Sequence, residues 1–461
     1  MKRLSSKLLL LCTLVAALLF AGAVGALAAG AAKNVIVFIG DGMGFGAIQV
    51  SRNILMGPEG RFTFEQFPHT AIVTTHSLDN WVTDSAAAAT AIATGFKTNN
   101  GMISMLPDGT VLPTILEAMQ KAGKAVGVVV TNSVYDATPA AFTAHWNTRG
   151  GSEQIALQQF EKGLDVLLGG GRDQFLPAGV EGGKRTDGRN LLAEAEARGY
   201  DVVTDRRGLL AASGDRILGL FHLSNMTYQL DKAHVDTDEP TLAEMTAKAL
   251  SVLAGKENGF FLLVEGSRID HAAHGGDLRG VAAEMADFER AVAIAYEFAK
   301  RHGDTLIVVT ADHDTMGLSA TEPLDYERLK EYKASPEFMA LQFKPAAEGN
   351  AFDEASIREV FATYAGIHDL TAEEIALIQS QFGQAAYKIG NIVGLVLASR
   401  ANAGVVSADV QLKSASTGGH TANPVPLYAF GPGAEQFGGV MDNTEIAAKI
   451  AAAANVEWPM R

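Results

Sequence analysis

The sequence predicts an α/β fold with a mostly parallel central sheet, helices on both faces of the sheet and a mainly helical insertion. Short, continuously apolar runs recur along the chain and alternate with longer amphipathic runs, as in sheets that are covered on both sides. Glycine is abundant, at 48 of 461 residues, which suits many tight turns between strands and helices. Residues 321–406 lack strand-like apolar runs, which marks the insertion.

Five apolar runs have the length and composition of buried strands. They are NVIVFIG (34–40), AVGVVVT (125–131), LDVLLGG (164–170), GFFLLVEG (259–266) and TLIVVTADH (305–313). Helical periodicity separates them, for example in LPTILEAMQKAG (112–123), PTLAEMTAKALSVLAG (240–255) and RGVAAEMADFERAVAIAYEFAKRHG (279–303). In sheets of this kind, functional loops follow the carboxyl ends of the strands.

The segment 321–406 is expected to be an insertion into a core formed by residues 33–320 and 407–461. Its amphipathic stretches, LTAEEIALIQSQF and AAYKIGNIVGLVLASR, predict helices that serve as a lid or an oligomer contact. Strand-like patterns resume at VVSADVQL (405–412) and VPLYAFG (425–431).

Residues 1–28 have the layout of a secretory signal peptide. Lys2, Arg3 and Lys7 precede an apolar run that ends in small residues at Ala26-Leu27-Ala28, which form an A-x-A cleavage site. The alternative is a membrane anchor, because the run approaches the length of a span. No charged residue follows the apolar run promptly, which favours cleavage over anchoring. We therefore expect a periplasmic or secreted protein, and no later segment is expected to span a membrane.

Charge and cysteine content narrow the functional classes. The formal net charge is −15, and removal of the three cations in residues 1–28 leaves about −18. Such an acidic body is a poor match for nonspecific nucleic-acid binding, and no nucleic-acid-binding module is expected. The only cysteine is Cys12, so the mature chain would have neither disulfides nor cysteine ligands. A metal would have to be bound by His, Asp, Glu, Ser or Thr.

Candidate metal ligands lie at the ends of four predicted strands, three clusters at or after a strand's end and His420 just before a strand. They are Asp41 in IGDGMG, Glu265, Asp270 and His274 in VEGSRIDHAAH, Asp312 and His313 in VVTADHDTMG, and His420 in STGGHTANPVPLYAF. Carboxylate oxygens and imidazole nitrogens suit zinc and magnesium. Asp270 and His274 are four residues apart, so a helical turn would place them on one face. Each residue alone fits a turn, a helix start or a surface position, but four such clusters at strand ends favour a metal site.

Two further stretches have both a structural and a chemical interpretation. In DSAAAATAIATG, Asp84 and Ser85 either begin a tightly packed helix with no chemical role, or Ser85 is placed there as a reactive residue. In NSVYDATPAAFTAHWNTRG, Asp136 and Thr138 open a helix, and Thr138 either caps it or binds a hard cation. Arg149, at the end of that stretch, is either a solvated surface residue or a planar fork for a phosphate or carboxylate.

Together these stretches resemble the alkaline phosphatases, within the superfamily of two-metal phosphatases and sulfatases. The matching motifs are IGDGMG, TDSAAAATA, DATPAAFTAHWNTR, DVLLGGGRDQFLP, VEGSRIDHAAH, TADHDT and GGHTANPVPLYAFGPG. They occur in family order across most of residues 34–320 and 407–433. The resemblance implies a hydrolase of many small phosphate monoesters, with dimerisation common among relatives.

The resemblance also implies two Zn²⁺ and one Mg²⁺, with a role for each matched residue. The first zinc would be held by Asp270, His274 and His420, the second by Asp41, Asp312 and His313, and the magnesium by Asp41, Thr138 and Glu265. Ser85 would be the nucleophile that becomes phosphorylated, with Arg149 on the non-bridging phosphate oxygens. Asp84 would orient the site by holding Arg149, and Asp136 and His271 would act beside the third metal.

Two departures from the family pattern concern positions next to the ligands. His271 follows Asp270, at a position where members vary, and it would pair with Asp136 only when protonated. The third metal and the pH optimum therefore stay open. Thr315 lies two residues after His313, where many members have a second histidine, so Thr315 is not expected to be a ligand.

Two other functions are compatible with parts of the pattern. A phosphodiesterase or sulfatase could share the scaffold, but the combination of Arg149, Thr138 and Glu265 favours monoesters. Sulfatases of this superfamily typically use a modified cysteine or serine in another motif. A non-enzymatic metal-binding protein with a decayed site would lack ligands, whereas every expected position is filled.

Overall fold

The computed structural model describes residues 30–413 and 417–459. The predicted signal peptide, residues 1–28, lies outside this part of the chain. Twelve strands are present in the described residues. In chain order they are β1 (Asn34–Gly40), β2 (His69–Thr74), β3 (Ala125–Ser133), β4 (Val166–Gly170), β5 (Asp201–Val203), β6 (Ile217–Leu220), β7 (Phe260–Gly266), β8 (Thr305–Ala311), β9 (Asp314–Thr315), β10 (His420–Thr421), β11 (Val425–Phe430) and β12 (Gly439–Asp442).

Ten of these strands form one sheet in the order β12-β2-β11-β8-β1-β7-β3-β4-β6-β5, and β9 and β10 form a separate ribbon. In the large sheet, β11 runs antiparallel to β2 and β8, and the other neighbours are parallel. Every residue of β1, β3, β7 and β8 is buried. Because successive side chains point to opposite faces, the sheet is covered on both sides. The predicted fold class is confirmed.

Most of the helices surround this sheet. Those outside the predicted insertion are Phe45–Met56, Ser85–Thr94, Ile115–Lys121, Ala137–Thr143, Ser152–Lys162, Leu191–Ala197, Arg206–Ala211, Leu242–Leu253, Arg268–His274, Leu278–His302, Ala408–Lys413 and Ile446–Ala453. Within the described residues, no helix combines the length and apolarity needed to cross a bilayer.

Residues 321–406, all of them described, contain helices and no strand. The helices are Tyr326–Glu331, Pro336–Leu341, Glu354–Ala365, Ala372–Gln379 and Ala386–Arg400. This content agrees with the helical character expected from the amphipathic pattern.

The strand expected at 405–412 is wrong, because the chain there forms a loop followed by the helix Ala408–Lys413. The Ser407 hydroxyl accepts a hydrogen bond from the Val410 amide at 3.4 Å, as a residue before a helix commonly does. The Val406 amide donates to the Met316 carbonyl at 2.9 Å. These contacts end the extended pattern before a strand can form.

The helix Ala386–Arg400 lies in backbone contact with the turn that follows the helix Arg268–His274. A Cβ atom built on Gly394 would stand 1.6 Å from the carbonyl oxygen of Gly275. Gly275 is the residue after His274, a predicted metal ligand. The close approach therefore requires glycine at 394 and links the predicted insertion to the site.

Gly394→Ala is expected to destabilise the protein by about 1–3 kcal/mol, because the added methyl group must displace backbone. The displacement falls next to His274, so a loss of activity should accompany it. Thermal unfolding and initial rates would measure both effects. Gly255→Ala is the control, since a Cβ there meets nothing within 4 Å; equal behaviour of the two variants would contradict this packing.

Glu284 is a buried acid on the long helix Leu278–His302. Burial raises the pKa of Glu284 to about 7, against the smaller lowering effects of the Gln229 amide and Arg268. The Gln229 amide donates to its carboxylate at 2.7 Å. A folded-state pKa above the unfolded value means that stability is lost as pH rises from the unfolded pKa through about 7.

Glu284→Gln should therefore raise stability by about 3 kcal/mol at pH 8 and by little at pH 5. The amide oxygen can still accept the Gln229 hydrogen bond, so the gain reflects the avoided buried charge. Denaturation at both pH values would test this. Glu297→Gln is the control on the same helix, because the Glu297 side chain is 62% exposed; a gain for Glu284→Gln that did not depend on pH would contradict the assignment.

Candidate active site

Adjacent strands bring the predicted ligands to one edge of the sheet. β1 lies between β8 and β7. Asp41 follows β1, Glu265 is near the end of β7, and Asp312 and His313 follow β8. All three strands are parallel, so their carboxyl ends meet. This explains why Asp41 and Asp312, which are 271 positions apart in the chain, can share one site.

The first group consists of Asp270, His274 and His420, whose ligand atoms lie within 4.8 Å of one another. Asp270 and His274 are one turn apart on the helix Arg268–His274, as expected from their spacing, with 3.2 Å between Oδ2 and Nε2. His420 Nε2 lies 3.1 Å from His274 Nε2. The structure therefore brings the first predicted ligand set together.

The second nitrogen of each histidine is already hydrogen-bonded to backbone. His274 Nδ1 is 2.9 Å from the Gly418 carbonyl, and His420 Nδ1 is 2.9 Å from the Thr83 carbonyl. A carbonyl only accepts, so both Nδ1 atoms carry the proton. In the neutral imidazoles the two Nε2 lone pairs then face each other. Two facing lone pairs repel, and a cation bound between them removes that repulsion.

The second group consists of Asp41, Asp312 and His313, whose ligand atoms also lie within 4.8 Å of one another. His313 Nε2 is 3.1 Å from Asp312 Oδ2 and 3.4 Å from Asp41 Oδ1. The Ser85 hydroxyl lies 3.1 Å from the same nitrogen. The predicted nucleophile is thus beside the second predicted ligand set.

Thr315 joins the two groups and was not foreseen as a site residue. Its hydroxyl donates to Asp270 Oδ1 at 2.6 Å and lies 3.2 Å from His313 Nδ1. Because the hydroxyl proton goes to Asp270, its oxygen accepts from Nδ1–H, which leaves His313 Nε2 free as a ligand. Its place two residues after His313 is the signal in the sequence that could have identified it.

The third predicted set, Asp41, Thr138 and Glu265, contains buried atoms without partners. Within the described residues, Asp41 Oδ1, Thr138 Oγ1 and both Glu265 carboxylate oxygens have no hydrogen-bond partner. Thr138 does not cap its helix, because that place is taken by Asp136, which accepts from the Ala137 amide. Buried oxygens in such a cluster fit a divalent cation.

The electrostatics of these carboxyl groups also fit a cation. Burial and then Asp312 raise the pKa of Asp41 well above its ordinary value. Burial and then Asp136 raise the pKa of Glu265 in the same direction. Bound cations would offset this repulsion.

Ser85 is the first residue of a buried helix, Ser85–Thr94, composed of small side chains. Asp84 precedes the helix and accepts a hydrogen bond from the Ala87 amide at 3.0 Å. The packed helix is therefore confirmed, and the reactive role of Ser85 stays a prediction. The alanines pack closely beneath the site, and Ser85 lies at a helix N-terminus, where the dipole favours an anion.

Arg149 is positioned by two carboxylates, as predicted for Asp84. Its Nη1 donates to Asp84 Oδ2 at 3.2 Å and its Nη2 to Asp136 Oδ1 at 3.1 Å. The side chain is 36% exposed and lines the same cavity as Ser85. Although burial alone would raise the pKa of Asp136, the pKa is lowered overall, mainly by the charge of Arg149. Asp136 is therefore an anionic partner for the guanidinium.

His271 makes a different contact from the one considered with Asp136. Its Nδ1 lies 2.7 Å from Arg268 Nη1 and accepts from that guanidinium. Burial and then Arg268 lower the pKa of His271 to about 4. At neutral pH the ring is therefore uncharged, and it is not an ion-pair partner for Asp136.

A cavity of about 540 Å³ borders the first ligand group, Asp270, His274 and His420. One wall comes from the core and includes Ser85, Arg149 and Arg268; another comes from residues 321–406 and includes Glu337 and Asn391. A lid was one of the two roles expected for residues 321–406, but no motif marks the residues that line the cavity. Their helical pattern gave no information on which side chains face the site.

Comparisons with known proteins agree with this architecture. A family model described as alkaline phosphatase matches residues 32–456. Alkaline phosphatase 3 of Bacillus subtilis is 36% identical over 437 residues, which cover 91% of this chain and 88% of that protein. The crystal structure of Thermus thermophilus alkaline phosphatase has a TM-score of 0.82 at 30% identity, covering 94% of this chain and 93% of that chain. A variant of the alkaline phosphatase of the Antarctic bacterium TAB5, solved with Mg bound in its M3 site, has a TM-score of 0.65 at 28% identity, covering 93% of this chain and 99% of that chain.

Proposed function

The chain belongs to the alkaline phosphatase family, and we propose that it hydrolyses phosphate monoesters through a phosphoserine at Ser85, with two Zn²⁺ and one Mg²⁺ bound. The observation that carries the proposal is the position of the Ser85 hydroxyl. It lies 3.1 Å from His313 Nε2, at a helix N-terminus and in one cavity with Arg149. A nucleophile, an anion-binding group and the first ligand group thus line one volume, and His313 of the second group lies beside the nucleophile.

The proposed ligands follow the three groups of side chains. Asp270, His274 and His420 would bind one zinc, Asp41, Asp312 and His313 the other, and Asp41, Thr138 and Glu265 the magnesium. When bound, the cations supply Lewis-acid stabilisation of the attacking and leaving oxygens. The protonated Nδ1 atoms of the histidines fix the ring orientations before binding.

The protein groups have the following roles in the proposed reaction. Arg149 binds the non-bridging oxygens of the ester, and the N-terminus of the helix Ser85–Thr94 stabilises their negative charge. Ser85 Oγ loses its proton and bonds to phosphorus, while the bond to the leaving alcohol breaks and the alcohol takes up a proton. Water then attacks the phosphoserine, the bond from phosphorus to Oγ breaks as Oγ takes up a proton from the water, and phosphate is released. Two inversions give net retention at phosphorus.

Asp84 and Asp136 act by orienting Arg149. Each binds one terminal nitrogen of the guanidinium, which restricts the side chain to one orientation. A fork fixed in this way binds two of the three non-bridging oxygens of a monoester, and its charge complements the dianion of a monoester better than the single charge of a diester.

Paired substrates test this proposal. The purified protein should release phosphate from an aryl phosphate at alkaline pH much faster than it cleaves the matching diaryl phosphate. A chelator should abolish the activity, and zinc with magnesium should restore it, with metal analysis reporting the stoichiometry. A preference for the diester, or full activity in the chelator, would overturn the proposal.

Three further assignments remain predictions with simple measurements. Residues 1–28 are proposed as a cleaved signal peptide of a periplasmic or secreted protein, which the intact mass of the mature chain would report. Residues 321–406 are proposed as an inserted lid or contact subdomain on a core of 33–320 and 407–461. Limited proteolysis would test these boundaries by showing whether the subdomain is protected independently of the core. A homodimer would show in light scattering.

A further inference from the structure

Arg268 is a second cation on the cavity wall that the proposed reaction does not use. It is the first residue of the helix Arg268–His274 and only 8% exposed. Its side chain lines the same cavity as Ser85 and Arg149. A guanidinium is permanently charged, so this buried cation needs an explanation.

The contacts of Arg268 leave most of its donors unused. Nη1 donates to His271 Nδ1 at 2.7 Å, and the guanidinium carbon stands 3.5 Å from the centre of the Tyr228 ring. The nearest carboxylate oxygen, on Glu337, is 4.0 Å from Nη2, which is too far for a hydrogen bond. Within the described residues, Nε is buried without a partner. Among the residues that the structure describes, one of the five N–H groups of Arg268 is therefore engaged in a hydrogen bond.

Neutralising nearby buried acids does not account for the free donors. Asp231 and Glu284 both experience the charge of Arg268, but each is hydrogen-bonded elsewhere. Asp231 accepts from the Ser335 amide and hydroxyl, both at 2.6 Å, and Glu284 accepts from the Gln229 amide. The unused N–H donors of the guanidinium are thus available to a ligand that enters the cavity.

The cavity has room for more than a phosphate group. Its volume of about 540 Å³ lies within the range of sites that hold whole small molecules. Arg149 is positioned by Asp84 and Asp136 on the phosphate side. The leaving group of a substrate would fill the remaining volume, where Arg268 is the available cation.

We propose that Arg268 binds a second anionic group, a carboxylate or a phosphate, on the leaving group of the substrate. The proposal rests on the proposed phosphomonoesterase function and deepens it. The planar fork suits either oxyanion, and stacking on Tyr228 fixes its plane. Glu337 holds the guanidinium loosely in the free enzyme and competes for it with the incoming anion.

Phosphate esters of ω-hydroxy acids test the proposal when they are compared, over a range of chain lengths, with the same esters in which the carboxylate is replaced by a carboxamide. The measured quantity is the ratio of kcat/KM for the acid to that for the amide. In the wild-type holoenzyme this ratio should peak at one chain length, at about tenfold or more. A parallel series of α,ω-bisphosphates against monophosphates shows which oxyanion is preferred.

The variants give opposite expectations for that ratio. Arg268→Gln should bring it close to one, and Arg268→Lys should leave it intermediate, because the charge remains but the fork is lost. Glu337→Gln should raise it by removing the competing carboxylate. Arg207→Gln, at a side chain 88% exposed, should not change it.

Common losses of activity cancel in the ratio, so failure of this inference is separable from failure of the proposed function. Turnover of the amides tests the function, and the acid-to-amide ratio tests Arg268. Calorimetric binding of an ω-carboxyalkylphosphonate and its amide gives a second readout that needs no turnover. A ratio unchanged in both Arg268 variants, or a ratio of one at every chain length in the wild type, would overturn the inference.

Discussion

Ser85→Ala is expected to eliminate the phosphoenzyme and to lower kcat by at least about a thousandfold, since removal of a nucleophile leaves only binding and electrostatic effects. Ser85 is placed by three features: the buried helix beneath it, the Asp84 cap and the neighbouring His313 Nε2. None of these is disturbed by loss of one oxygen. Substrate binding should therefore persist while the covalent step is lost.

Rapid-quench kinetics with an aryl phosphate, combined with intact-mass detection of one added phosphoryl group, would measure this effect. Ser51→Ala is the matched control. Ser51 is also buried, and its hydroxyl has no hydrogen-bond partner among the described residues, so its loss should leave the burst unchanged. Substantial turnover by Ser85→Ala through a phosphoenzyme would show that another residue is the nucleophile.

The parallel part of the fold could be predicted because its strands are buried on both faces. Each of the five apolar runs became a strand of the large sheet, with β1, β7 and β8 at its centre. The antiparallel placement of β11 between β8 and β2 could not be foreseen. Strand order depends on contacts between distant segments, and the pattern of VPLYAFG is the same in either direction.

The segment 405–412 shows how local patterning fails. Its alternation of apolar and polar residues suits a strand, but Ser407 caps a helix that begins at Ala408. Capping and tertiary contacts determined the outcome, and an eight-residue window contains little information about either.

Some residues of the candidate site could likewise be predicted from the sequence, and others could not. Residues in motifs at strand ends could be anticipated, and the structure brings Asp270, His274 and His420 together as one group. Thr315 and Arg268 could not, because their importance depends on which atoms they approach. A hydroxyl 2.6 Å from Asp270 Oδ1 is a property of side-chain placement, which motif spacing does not encode.

The hydrogen bonds around the histidines determine which ring nitrogen of each is free to bind a metal. Backbone carbonyls accept from Nδ1–H of His274 and His420, and the Thr315 hydroxyl accepts from Nδ1–H of His313. The Nε2 lone pairs of the three rings therefore converge. The protein thereby stores repulsion among lone pairs and carboxylates that a bound cation relieves. Metal binding should for this reason be strongly linked to stability.

Asp41→Asn is expected to have opposite effects on stability with and without metal. Asp41 is proposed to serve both the second zinc and the magnesium, so the variant should bind less metal and lose at least about a hundredfold in kcat/KM. In a chelator, however, it should be more stable than the wild type by at least about 1 kcal/mol. The reason is that burial and the neighbouring Asp312 and Asp270 make the charge of Asp41 unfavourable, as the raised pKa of Asp41 shows.

Thermal unfolding at pH 8, in a chelator and with added zinc and magnesium, would reveal this crossover, and metal analysis would report the lost ion. Asp287→Asn is the control for removing a buried carboxylate that is already satisfied by hydrogen bonds. Asp287 accepts from the Leu242 amide at 2.7 Å and from the Gln229 side chain at 2.9 Å, so its variant should be less stable under both conditions. If Asp41→Asn were likewise destabilised in the chelator, Asp41 would be held by protein contacts and its repulsion would not be what a metal relieves.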